Sequence, residues 1–169
     1  MAATLPEAKA AATVSEAVLS RHTCRAFIDR PVDPGVVRQL LETARHSPSG
    51  GNLQPWIVHV LSGDSLARFR AMLAPKVREH PLGRTAQYNV YPPNLIDPYR
   101  ARRFKVGEDM YALIGIGRDN RPGRVAQFAR NYDFFGAPVG MFFFLDRSMG
   151  PPQWSDLGMF IQSLMLLAR

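Results

Sequence analysis

The sequence predicts one domain of mixed class in which helices outnumber strands. Three observations predict it. At least four segments carry helical spacing or helix-capping chemistry. Only two runs have the character of strands. The chain has 169 residues, enough for one domain with a sizeable core. A hydrophobic fraction of 46% and a charged fraction of 21% are those of a globular chain.

The elements follow in order. "MAATLPEAKAAA", 1–12, carries Glu7 and Lys9 where a secretion signal needs an unbroken apolar stretch, and reads as a loose leader. Thr13 and Glu16 form a T-x-x-E capping box that starts a helix running to about Arg21. Asp33 as N-cap and Pro34 at the first helical position start a second. Its Val36, Val37, Leu40, Leu41 and Ala44 recur at helical spacing, and it stops near Ser47–Pro48. A strand follows from about Trp56 to Leu61, in which His59 alternates with Val58 and Val60 and reads as a strand residue rather than a ligand. A third helix after Gly63 places Leu66, Phe69, Met72 and Leu73 on one side. Residues 81–103 hold four prolines and three tyrosines and read as non-helical throughout, because each proline lacks an N–H and clashes with a preceding turn. So long a loop is either functional or a surface excursion, and both readings stand. Helical patterns return over 104–113 and 119–134, and "PVGMFFFL", 138–145, reads as a central strand. The segment 154–169 is helical and apolar nearly all round, which suits a core or an interface. With Asp156 and Gln162 in sixteen residues it makes a poor membrane span. A chain whose most apolar helix is its last segment reads as a fragment, or as a fold completed by strands from elsewhere.

A net charge of +7 favours anionic company. One cysteine, Cys24, forbids an intrachain disulfide and suits a reducing compartment, with the cytoplasm as the expected location. Several patterns fail on inspection. "GIGRDN", 115–120, has Asn120 where a dinucleotide fingerprint needs its third glycine. "SPSGG" has Ser47 where a hydrolase elbow needs its first glycine. His22, His46, His59 and His80 have no zinc-site spacing, so no metal is expected.

Two stretches survive. In "RHTCRAF", 21–27, Arg21, Thr23 and Arg25 recur every second residue, so an extended chain would face all three one way. Two guanidinium forks and a hydroxyl grip a phosphate or a polar ring well. The same residues also suit a solvated helix end that complements the helix dipole. In "SPSGGNLQPW", 47–56, Gly50 and Gly51 let a ligand approach the backbone, Ser49, Asn52 and Gln54 offer polar groups without bulk, and Pro48 and Pro55 fix the ends. A simple connector needs fewer residues of this kind.

"SRHTCRAF" followed by "PSGGNLQPW" resembles the nitroreductase family of flavoenzymes. "YNVYPPNL", "RRFKVGEDMY", "FFGAPVGMFF" and "QWSDLGMFIQSLMLLAR" resemble its nitrobenzoate reductase branch, from about residue 14 to the end. The resemblance implies an α+β fold with a central mixed sheet flanked by helices, a single domain over 13–169, and the family's C-terminal strands absent from this chain. It implies a homodimer with FMN bound between subunits. Arg21, His22, Thr23 and Arg25 match the motif that holds the FMN phosphate, ribityl chain and ring edge. Pro48, Ser49, Gly50 and Asn52 match the motif that reaches the flavin from the other subunit, and Asn131 falls near a flavin-contacting Asn. No catalytic side chain is expected, because hydride from NADH or NADPH passes through flavin N5 to a nitroaromatic or quinone-type acceptor. Tyr88, Tyr91 and Tyr99 are expected to shape the substrate opening. Neither nucleic acid nor membrane is expected as a partner. Two alternatives are a flavin-binding relative that does not turn over and, from Arg100, Arg102, Arg103 and Lys105 with the nearby tyrosines, a single-strand nucleic-acid module.

Overall fold

The computed structural model describes residues 9–84, 86 and 88–169. The first eight residues of the expected leader lie outside the described residues. The chain forms two compact units, one of residues 9–25, 29–63 and 138–169 and one of 26–28 and 64–137.

The first unit is built on the last helix, α6 (Pro151–Leu167). Pro151 at its first position and the Gln153 side chain, accepting the Gly150 N–H at 3.1 Å, start it. Asp156, Phe160 and Leu164, spaced by four, are buried. Its opposite side, with Trp154, Met159, Met165 and Leu167, is exposed in the single chain, so one face of the helix lies in the core. The core gathers Ala44, Phe160 and Leu164, with Leu40, Leu41, Trp56, Val58, Met141, Phe143, Leu157 and Ile161 against them. Phe160 stacks on Trp56 at 4.8 Å between ring centres and meets Phe143 edge-on at 6.2 Å.

Helix α1 (Val14–Ser20) forms with its capping box complete, and Arg169 Nε donates to Ser20 Oγ at 2.9 Å. Helix α2 (Pro34–Ala44) starts with Asp33 accepting the Gly35 N–H at 2.7 Å and packs on α6. Strands β1 (Ile57–Ser62) and β2 (Val139–Phe144) pair antiparallel, Ile57 opposite Phe144 and Ser62 opposite Val139. The expected mixed sheet is corrected: the described residues form a two-stranded antiparallel sheet. A mixed sheet needs a third strand, and the sequence holds only two runs of strand character.

The second unit holds most of α3 (Gly63–Glu79), α4 (Tyr99–Leu113), α5 (Arg121–Ala129) and a tight 3-10 segment, Arg130–Gly136. The expected non-helical stretch to residue 103 is corrected, since α4 begins at Tyr99 with Pro98 as its N-cap. A proline costs nothing there, where no intrahelical bond to its nitrogen exists. The expected helix over 119–134 ends at Ala129, and Phe134 and Phe135 take left-handed φ of 50° and 55°. Arg70 of α3 pairs with Asp133 and donates to the carbonyls of Asp133 and Ala137 at 3.1 and 3.0 Å. Arg124 of α5 grips Glu108 of α4 through both guanidinium nitrogens, at 2.7 and 2.9 Å. No described helix is long and apolar enough to cross a membrane.

Candidate functional site

The loop after α2 is held from beneath by α6. The Ser47 hydroxyl lies 2.8 Å from Ser163 Oγ. The Gly50 N–H points at the Asp156 carboxylate, 3.3 Å from each oxygen, and Trp56 closes the loop on Phe160. Asp156, Phe160 and Ser163 recur at helical spacing, so one stripe of α6 serves the start, middle and end of the loop. Above that stripe the backbone tightens into a 3-10 turn, Gly50–Asn52. The Asn52 N–H reaches the Ser49 carbonyl at 2.9 Å and the Gln54 N–H reaches Ser49 Oγ at 3.0 Å. Gly51 has a left-handed φ of 59°, and a Cβ there would meet no atom within 4 Å. Its N–H has no partner among the described residues. Asn52 and Gln54 also take positive φ, 56° and 47°. Such backbone is uncommon outside glycine and persists where its surroundings over-determine it, often at ligand sites. Asn52 Oδ1 accepts from Gln54 Nε2 at 3.2 Å, which leaves the Asn52 amide hydrogens to a ligand.

The basic motif lies at the other end of the same helix. After α1 the chain turns extended at Arg21 (φ −64°, ψ 126°) and has no helix or strand over 21–28. His22 Nε2 and Cys24 Sγ meet at 3.4 Å, so these two share one side. In an extended chain alternation would turn Arg21, Thr23 and Arg25 to the other. His22 also places Nδ1 3.2 Å from the Ser20 carbonyl, so it faces Ser20 and Cys24. Arg21 is half-buried, and its guanidinium has no acidic partner among the described residues. Ser20 is tied to Arg169 and Gly50 to Asp156. At 1.5 Å per residue these anchors stand roughly 20 Å apart along α6, and the loop's Ser163 anchor stands roughly 9 Å from Arg169.

In the second unit, exposed Asn131 donates its amide to the Phe128 carbonyl at 2.7 Å, leaving its own oxygen open. Tyr88, Tyr91 and Tyr99 are exposed, with Arg103 stacked over Tyr91 at 4.1 Å. Of the basic cluster, Arg100 pairs with Asp97 and Lys105 with Asp109, each at 2.7 Å, which neutralises much of its charge. Pro48 and Ser49 flank the loop turn, Pro48 exposed and Ser49 half-buried. The sequence reading passed over Asp156 and Ser163 as loop supports. The available signal was Asp156 itself, since a carboxylate inside an apolar helix, once buried, must find a donor.

Comparison with known proteins agrees with this architecture. The Nitroreductase family model matches residues 18–169. The chain is 37% identical over 152 residues to a 4-nitrobenzoate reductase of Pseudomonas putida, covering 90% of this chain and 66% of that protein. It superposes on the FMN and NADPH-dependent nitroreductase NfnB of a Sphingopyxis strain with a TM-score of 0.87 at 47% identity, over 92% of this chain and 70% of that one. The FMN-dependent NfnB of Mycobacterium smegmatis, solved with NADPH, gives a TM-score of 0.82 at 28% identity, over 90% and 68% of the two chains. The chain thus spans about two thirds of the length of these relatives. With its family model matched from α1 to the last residue and its fold shared with solved members, this chain belongs to the nitroreductase family.

Proposed function

We propose that this protein binds FMN and uses NADH or NADPH to reduce a nitroaromatic or quinone-type acceptor, as a cytoplasmic homodimer whose two sites are shared between subunits. One observation carries the reading. Gly51, whose N–H has no partner among the described residues, leaves open space where a side chain would stand, beside Ser49 and Asn52 on a loop braced by Asp156. Such a loop suits a flat ring with polar edges, because small residues admit close approach and fixed donors meet the ring's heteroatoms. The Arg21 guanidinium, with no acidic partner among the described residues, suits a phosphate. Relatives named for FMN, NADPH and nitroaromatic reduction support the same assignment.

FMN, when bound, would supply the redox chemistry that links NAD(P)H oxidation to reduction of the acceptor. The residues of this chain bind and orient. Arg21, Thr23 and Arg25 hold the phosphate and ring edge and offset negative charge on the ring. Ser49, Gly51 and Asn52 align the ring from the other subunit. Sharing is supported by the separation of the two motifs' anchors along α6, roughly 9 Å from Ser163 to Arg169 and roughly 20 Å from Asp156, at 1.5 Å per residue. It is supported too by apolar side chains left exposed on α1 and α6: Val14, Val18, Leu19, Trp154, Met159 and Met165. The exposed Tyr88, Tyr91 and Tyr99 offer stacking faces to an aromatic acceptor.

The test is an absorption spectrum of protein incubated with FMN and desalted, then oxidation of NADH and of NADPH with 4-nitrobenzoate or a quinone. Retained flavin bands and acceptor-dependent oxidation are expected. Retained flavin with no oxidation of either nicotinamide would mean a binding relative that does not turn over. No retained flavin and no thermal shift on adding FMN would overturn the reading.

A further inference from the structure

We infer that Asp156 is the positioning residue of the cofactor loop: it takes the Gly50 N–H inward and thereby fixes Gly51 as the loop's outward backbone donor. The inference rests on the proposed flavin site and adds a residue to it. Asp156 is 5% exposed and stands in the apolar stripe of α6, one turn before Phe160. A buried carboxylate is costly, and an apolar residue of similar size would serve helix packing better. Its position is explained by what it touches. Both oxygens lie 3.3 Å from a single donor, the Gly50 nitrogen, and no other partner exists among the described residues. With the Gly50 N–H held by Asp156, the Gly51 N–H is left without a partner among the described residues, and a Cβ on the left-handed Gly51 would meet no atom within 4 Å. Gly50 therefore meets the ligand through its lack of a side chain, and Gly51 meets it through a hydrogen bond. Ser163, two turns along the same stripe, steadies Ser47 in the same way.

The test compares the parent chain with Asp156→Leu and Asp156→Asn. Amide exchange is read by NMR without added FMN, and FMN affinity is read separately. Asp156→Leu fills the space but accepts nothing, so exchange at Gly50 should rise, and FMN affinity fall, by about tenfold or more. Asp156→Asn retains an acceptor oxygen and should keep both within about threefold of the parent. Should the leucine variant fail to fold, Asp156→Ala gives the same reading. Parent-like exchange and affinity in a folded leucine or alanine variant would overturn the assignment. A parent that takes up no FMN, while Gly50 exchange responds as stated, would overturn the flavin reading and leave the positioning role standing.

Discussion

Arg21 and Gly51 are the residues on which the flavin reading is most exposed to test. Arg21 sits where α1 ends and the chain turns extended, with no acid near enough to neutralise it among the described residues. A guanidinium on a phosphate forms charge-assisted bonds, so Arg21→Ala should weaken FMN retention by about 1.5–3 kcal/mol. Equilibrium dialysis measures this, and equal affinity in variant and parent would remove Arg21 from the site. The sequence made the loop residues legible because its cue was chemical: glycines, a serine and an amide between two prolines have few reasons to cluster before a strand. It did not reveal which glycine N–H is taken from within the fold. That depends on Asp156, about a hundred residues later in the chain, and no local pattern reports a contact of that range. Nor did it show that His22 turns to Ser20 and Cys24, because alternation sorts side chains into two sets without saying which set meets a ligand.

Element starts were legible where capping chemistry is local. Thr13 with Glu16, and Asp33 with Pro34, act within four residues and form the caps their spacing predicts. The start of α4 was not legible, because Pro98 stands at the boundary where a proline ends a loop as readily as it breaks a helix. Joining α4 to α5 falls to Arg124, which clasps Glu108 and lies over the Tyr111 ring at 4.3 Å. Hydrogen bonds from Arg124 hold the Glu108 carboxyl below its ordinary value of 4.5, against an opposing effect of desolvation, and Glu108 in turn raises Arg124. A depressed carboxyl binds its proton more weakly in the folded chain than in the unfolded one. The pair's contribution is therefore full above pH 4.5 and is lost as pH falls through the folded value. Glu108→Gln should lower the melting temperature near neutral pH and shrink the acid-side fall in stability relative to the parent. Parallel melting curves from pH 7 to about pH 3 check this. If the two differ by a constant amount across that range, the pair does not act through its charge.

At the scale of the whole molecule the question is how, on the proposed reading, a loop braced along α6 from Asp156 to Ser163 and a basic motif tied to Arg169 serve one flavin. A second copy answers it, since a partner's loop can meet this chain's arginines across a two-fold interface. The surface available for that contact is apolar. Leu19 is 86% exposed and Trp154 59%, and Val14, Val18, Met159 and Met165 are exposed on the same two helices. Each such side chain is worth about 1.5–3 kcal/mol when fully buried, so a handful covers much of the cost of association. Leu19→Glu and Met165→Glu place a charge on that surface without touching the core of Ala44, Phe160 and Leu164. Both variants should stay folded by circular dichroism, run as monomers by light scattering where the parent runs as a dimer, and lose FMN as they lose the partner. The coupling is the decisive part. A variant that is monomeric yet retains FMN at parent affinity would mean that one chain completes the site by itself, and the shared-site account would fall even with the flavin assignment intact.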